Sequence, residues 1–313
     1  MSVIADTRPA AASPPRLLVG AAFATIYLVW GSTYLAIRYA VESFPPLLMT
    51  GTRFLCAGAV LLAWALGRGA RRPGAAEWRQ AALVGALLVA ASYGLVGWAE
   101  QYIASSLAAL IVASVPVWII LLDVIVARAA RPPTAVLVGI TLGLAGQVLL
   151  LWPELRRGVA GNAATVLAVV ASNLTWAAGT LAVRRTSRGA GERGPLVLTT
   201  AMQMLAGGAM LVVAGGAIGE AAPLVARGVT LRSALAWAYL VGPGSMLALS
   251  AYTWLLTVTP PARVATHAYV NPVVAVFLGW LLAGEPVSGL TLAATAVILG
   301  SVVLINTASR ASR

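Results

Sequence analysis

The residues with chemistry in them are few, and they sit inside long apolar runs. Residues 16–40 carry Trp30, Ser32, Thr33 and Tyr34, and residues 162–184 carry Asn173, Thr175 and Trp176. Trp30 and Tyr34 stand four apart, Asn173 and Trp176 three apart, so on a helix each pair shares a face. Ser92, Tyr93 and Trp98 lie in the run 80–102, Ser250, Tyr252 and Trp254 in 233–258, and His267, Tyr269 and Asn271 in 262–283. A buried amide or hydroxyl without a partner costs about 1–3 kcal/mol, so these groups must face other helices or a wet cavity. The chemistry they offer is binding: stacking on indole and phenol rings, with a few hydrogen bonds. Trp30, Tyr34, Tyr93, Trp98, Asn173, Trp176, Tyr252, Trp254, His267, Tyr269 and Asn271 are the candidate binding residues. Each has a blander alternative. Trp98, near Glu100 and the loop, suits an interfacial aromatic belt, whereas Trp30 and Trp176 lie mid-run and favour a cavity wall. Asn173 and Asn271 suit interhelical ties as well as they suit ligand contacts.

The charges are sparser still. Arg53 lies about a third of the way into the run 46–67, and Arg38 near the end of the first run. Charges at such depth are functional candidates, with snorkelling as the rival reading. Arg53 could hold a substrate carboxylate, or pair with Glu42 or Glu100 as a structural tie. Asp123 reaches the interface. His267, the one histidine, could carry a proton, donate to a substrate or simply be a satisfied structural residue. Pro116 and Pro272 lie well inside runs, where each frees the carbonyl four residues earlier, that of Val112 and that of Ala268. Gly242, Pro243 and Gly244 form a further hinge candidate. Gly139, Gly143 and Gly146 suit close helix packing. No run carries an acid at its centre. There is no Walker-type loop, no HExxH, no paired carboxylates and no Ser/His/Asp set, so neither ATP-driven work nor catalysis is indicated. No metal site and no cofactor are expected.

These residues are positioned by ten apolar runs, 16–40, 46–67, 80–102, 104–127, 133–152, 162–184, 195–218, 233–258, 262–283 and 287–307. Sixty per cent of the 313 residues are hydrophobic and ten per cent are charged, against about 25% charged in soluble domains. At about 20 residues per span, ten spans use most of the chain and leave short loops. Residues 1–15 read as a disordered cytoplasmic tail, and the first run is too long for a signal-peptide core. The lone Cys56 lies within a run, so no intrachain disulfide can form. The net charge is +12, and all 21 positive residues are arginine. With the N-terminus inside, fifteen arginines fall on cytoplasmic segments and four (Arg156, Arg157, Arg227 and Arg232) on outer ones. That asymmetry sets both termini in the cytoplasm and argues against nucleic-acid binding.

The chain also repeats itself. Laying Trp30 on Trp176 matches Leu35-Ala36-Ile37-Arg38 with Leu181-Ala182-Val183-Arg184. Further along, Thr50 matches Thr199, Trp98 matches Trp254, and Pro116-Val117 matches Pro272-Val273. Two units follow, 16–152 and 162–307. Each holds five runs, and because five is odd the second unit must insert upside down. Inverted repeats of this kind put a substrate site at their interface near the bilayer midplane. The fold expected is all-α, polytopic, with ten transmembrane helices in two inverted five-helix repeats.

Trp30-Gly31-Ser32-Thr33, Pro45-Pro46 with Arg53-Phe54, Ala104 to Trp118, and Asn271 to Pro286 together resemble the EamA family of the drug/metabolite transporter superfamily. The resemblance spans residues 16–307 and is nearest to the ten-helix aromatic amino-acid exporter branch. It implies two five-helix repeats and export of small metabolites, notably amino acids. The sequence departs from the pattern at one place. Gly284-Glu285-Pro286 follows the ninth run, but Arg128-Ala129-Ala130-Arg131-Pro132 follows the fourth, so Glu285 receives no transport role.

The expectation is therefore a multi-pass exporter in a bacterial-type inner membrane, working by alternating access and facilitated diffusion. Its mostly neutral aromatic cavity suits aromatic or large neutral amino acids. Spans 1–4 and 6–9 would rock while spans 5 and 10 stay peripheral. Its partners are a small-molecule substrate and the lipid bilayer, with the protein a monomer or homodimer. Two alternatives stand beside it: a proton-coupled drug or metabolite antiporter using His267 or Arg53, and a membrane scaffold or lipid-headgroup enzyme without transport.

Overall fold

A computed structural model describes residues 15–99, 102, 111–126, 132–150, 152, 163–188, 196–283 and 287–311. Residues 1–14, Glu100, Ala104 to Leu110, Arg128 to Arg131 and Gly284-Glu285-Pro286 lie outside the described residues, as do the side chains of Tyr34 and Arg38. The described secondary structure is helical. In chain order the principal helices are α1 (Arg16–Ala40), α2 (Pro46–Gly67), α3 (Ala75–Ala99), α4 (Val115–Ile125), α5 (Thr134–Leu150), α6 (Ala163–Arg188), α7 (Leu196–Ala217), α8 (Leu231–Val258), α9 (His267–Ala283) and α10 (Gly289–Ala311). Among the described residues, seven are long and apolar enough to cross a membrane, while α4, α5 and α9 are shorter, with 11, 17 and 17 residues. Ten full spans are thus not what the described residues contain. Leu28, Val60, Leu83, Leu137, Val213, Leu235, Trp280 and Val303 face outward and exposed, the surface of a chain whose solvent there is hydrocarbon.

Helix ends follow local chemistry more than apolarity. The helix α3 starts five residues before its apolar run, because Glu77 folds back onto the Gly74 N–H at 2.8 Å and grips Arg71 with both oxygens at 2.9 Å. That carboxylate satisfies an end that hydropathy alone would leave as loop. The start of α2 is closed by a residue far away: Glu220 accepts from Leu47 N at 3.2 Å and Leu48 N at 2.8 Å. On the same face Arg232 pairs with Glu42 at 3.4 Å and Ser43 meets Thr230. At the opposite ends of the helices Arg184 meets Asp123 at 3.4 Å, Arg185 donates to Val126 O at 2.9 Å, and Arg263 donates to Asn306 at 2.8 Å.

The helices pack in a pattern that survives exchange of the two halves. The helix α1 lies on α9 and α8, just as α6 lies on α4 and α3, while α2 packs on α7 and α5 on α10. The α2–α7 and α3–α7 crossings close on glycine. A Cβ on Gly51 or Gly208 would sit within 3.0 Å of the facing backbone, and one on Gly85 would collide with Gln203 O. Gly139, Gly143 and Gly146 meet Ile305, Tyr269 and Ile298, the close packing their spacing implies.

Four spans are not continuous α-helix. The helix α3 passes through a π-helical stretch at Ala86–Ala91 and α8 through one at Leu240–Leu247. Trp98 and Trp254 align the two halves, and on that alignment the π stretches coincide. Before α4 the chain turns at 113–114. Pro116 therefore occupies the second position of a helix rather than its interior, where no hydrogen bond is lost. The expected mid-helix kink there is corrected to a helix break. At the break Ile111 O accepts from Ser114 N, Ser114 Oγ and Asn173 Nδ2. Pro272 is inside α9 as expected. A second break, at 265–266, separates the turn Pro261–Val264 from α9, with neither glycine nor proline at the turn itself.

Candidate functional site

The mid-span aromatic residues converge. Trp30, halfway along α1, meets Trp176, halfway along α6, edge to face at 5.7 Å between ring centres. Tyr252 lies 5.3 Å from Trp30 and 5.2 Å from Trp176. His267 stands 4.9 Å from Trp30 and 5.5 Å from Tyr252. Tyr93 extends the group, 5.8 Å from Trp176. Two of these rings come from the first half and three from the second, so the box straddles the interface of the halves. In this conformation the rings fill it themselves: Trp30, Trp176, Tyr252 and His267 are all buried.

Each ring is aimed by a particular bond. Trp30 Nε1 donates to Gly244 O at 3.1 Å, a carbonyl inside the π stretch of α8. Tyr252 OH meets Thr180 Oγ1 at 2.5 Å. His267 Nδ1 lies 2.9 Å from Val264 O, a carbonyl released by the break before α9. A carbonyl only accepts, so Nδ1 carries the hydrogen and neutral His267 keeps its lone pair on Nε2. Trp176 is the exception. Among the described residues its buried Nε1–H makes no well-aligned hydrogen bond, with the Tyr252 hydroxyl its neighbour, and Asn271 Oδ1 is buried without a partner. A buried donor and a buried acceptor left over are groups that a polar ligand could satisfy.

Arg53 stands at the margin of the box. Its side chain is 1% exposed. Nε donates to Ser245 Oγ at 2.8 Å, again in the π stretch of α8. The guanidinium centre lies 4.6 Å from the Phe54 ring and 5.3 Å from the Tyr93 ring. Glu42 is engaged by Arg232, so the expected Arg53–Glu42 tie is not formed, and among the described residues no carboxylate pairs with Arg53.

Several candidates fall elsewhere. Trp98 is 37% exposed and leans on Tyr102 at 5.3 Å, in keeping with the belt. Trp254 is half-buried against the main core and makes no ring contact with the box among the described residues. Tyr269 faces α5 and α10 instead, with its hydroxyl near Ile140 O and its carbonyl taken by Gln147. Asn173 gives its amide to Ile111 O at 2.6 Å and Ser114 Oγ at 3.1 Å, an interhelical tie. Sequence reasoning passed over Ser245, Thr180 and Glu220, each an ordinary polar residue whose partner lies 72 to 192 positions away. A cleft of about 400 Å³ between α3, α4 and α6, with Gln80 and Arg185 on its rim, is separate from the box. Among the described residues no three His, Cys, Asp or Glu side chains cluster as metal ligands would.

Comparison with known proteins adds an independent finding. The EamA-like transporter family matches residues 18–152 and again 163–307. The uncharacterized inner membrane transporter YedA of Escherichia coli (strain K12) is 38% identical over 92% of this chain and 90% of its own length. Protein PecM of Dickeya dadantii is 26% identical, covering 91% of each chain. The uncharacterized transporter YvbV of Bacillus subtilis is 26% identical over 96% of this chain and 95% of its own. A protein known by its crystal structure superposes with a TM-score of 0.76 at 23% identity, over 96% of this chain and all of the other, and so shares the fold.

Proposed function

The chain belongs to the EamA-like transporter family, and from that membership and the aromatic box we infer that it carries small molecules with an aromatic or large apolar body out across a bacterial inner membrane. The observation that carries the reading is Trp176. Its buried indole N–H makes no well-aligned hydrogen bond among the described residues and is walled by Trp30, Tyr93 and Tyr252, a surface on which an acceptor can bind. Aromatic and large neutral amino acids are the substrates we favour. Their side chain stacks on the rings, and their polar end meets the leftover amide and indole.

The remaining parts of the reading rest on the sequence. Ten spans form two inverted five-span repeats, both termini face the cytoplasm, and alternating access opens the box to each side in turn. No acid sits at a span centre, so transport runs down the substrate gradient. The test is flux of labelled tryptophan and phenylalanine from proteoliposomes. Efflux should follow the substrate gradient, and an imposed pH gradient alone should drive no accumulation. Uphill accumulation abolished by a protonophore would overturn the uniport, and absence of any flux of aromatic solutes would overturn the box.

A further inference from the structure

Arg53 is the charge that neither the fold nor the stacking explains. A buried cation without an anionic partner costs several kcal/mol even after relaxation. Phe54, Tyr93 and Ser245 offset part of that. A desolvated cation–π contact contributes about 2 kcal/mol, a hydroxyl somewhat less. Among the described residues all three partners are neutral, and a guanidinium has five N–H donors to satisfy. The protein holds a positive charge in its membrane interior, about 10 Å from the outer end of α2 at 1.5 Å per residue, and among the described residues gives it no anionic partner. Charges kept at such depth are functional by default.

The placement joins this charge to the box. The Tyr93 ring lies between them, 5.3 Å from the guanidinium and 5.8 Å from Trp176. Ser245, which holds Nε, and Gly244, which holds the Trp30 indole, are neighbours in one π stretch. An aromatic body at the box and an anionic group at Arg53 would be one ring apart and would touch the same π-helical turn of α8.

We propose that Arg53 is the anion subsite of the box, and that the transported molecule carries a carboxylate a short spacer away from its aromatic or apolar body. This rests on the reading of the box as the substrate site and adds the charge the substrate must bear. A planar carboxylate matches the guanidinium fork with two parallel hydrogen bonds. Because Arg53 is almost wholly enclosed, a lipid headgroup cannot reach it without the protein opening.

The experiment uses the purified full chain in nanodiscs at pH 7.5, with binding followed by intrinsic tryptophan fluorescence. The probes are 3-phenylpropionate and 3-phenylpropionamide, which share body and size and differ in charge. The wild type should bind the acid at least tenfold more tightly than the amide. In Arg53→Gln that ratio should fall to near one with amide binding retained, and Arg53→Lys should restore part of it. Ser245→Ala, which loosens the aim of the guanidinium without removing its charge, should reduce acid binding several-fold and spare the amide. Equal binding of acid and amide by the wild type overturns the anion subsite and leaves the box standing. Binding of neither overturns the box and the subsite with it. A preference for the acid that survives in folded Arg53→Gln or is untouched in Arg53→Lys and Ser245→Ala also overturns it. If Arg53→Gln fails to fold, the wild-type ratio and the other two variants decide.

Discussion

Trp176 buries an indole N–H that makes no well-aligned hydrogen bond among the described residues, and this is what a binding ring would show and a packing ring need not. Trp30 lies as deep, yet its N–H is spent on Gly244 O. Replacing either by alanine would excavate the core at about 3–5 kcal/mol, so loss of flux would report loss of fold. Phenylalanine is the sharper probe. Trp176→Phe keeps a ring against Trp30 and Tyr252 and removes only the indole donor and some volume. Folded yield should change little, while the half-saturation concentration for an aromatic solute should rise about 3–10-fold, the worth of one neutral hydrogen bond. Trp98→Phe, out on the surface, should leave it unchanged. Equal behaviour of the two variants in a flux assay would deny Trp176 its role. The ring box was legible from residue type and mid-span position. Arg53–Ser245 was not, because a contact across 192 residues leaves no local trace.

At the scale of elements, the two π stretches matter most. An extra residue per turn rotates every later side chain by roughly 100°, since an α-helix turns once in 3.6 residues. Tyr93 and Tyr252 both follow such a stretch, so uninterrupted helical periodicity misplaces them. In α8 the sequence announces the irregularity through Gly242, Pro243 and Gly244. In α3 it does not, for Ala86 to Ala91 reads as ordinary helix. The break at 265–266 is equally silent, and Thr266 explains how it persists: its hydroxyl donates to Arg263 O at 2.6 Å and meets Tyr27 OH at 2.6 Å. Pro116 misled in the opposite direction, because a proline deep in an apolar run also fits the first turn of a helix that restarts there. If the π stretch of α8 is where the span flexes, Pro243→Ala should restore a backbone donor and favour regular α-helix. The variant should melt at a higher temperature and transport more slowly, by severalfold. Faster or unchanged flux in the proteoliposome assay would show that the stretch does not bend during transport.

Across the whole molecule, two sets of helix ends are tied separately. One face holds Glu42–Arg232, Ser43–Thr230 and Glu220 at the start of α2. The other holds Arg184–Asp123, Arg185–Val126 and Arg263–Asn306. These ties group the loops as the arginine count grouped them, although geometry alone does not say which face is cytoplasmic. The arginine bias predicts it: the second face carries most of the positive charge and should stay inside. Redox chemistry gives a direct check, because the periplasm is oxidising and the cytoplasm reducing. With Cys56→Ala as background, Ser43→Cys paired with Thr230→Cys replaces two hydroxyls 3.4 Å apart. Losing the Thr230 cap costs about 1 kcal/mol, too little to unfold the chain. This pair should form a disulfide in growing cells, and a lone Ser43→Cys should react with a membrane-impermeant maleimide. A cysteine pair at Arg263 and Asn306, across the other face, should stay reduced and unlabelled until the cells are opened. The reverse pattern would turn the protein over in the membrane. Arg53 would then lie nearer the cytoplasm than the periplasm.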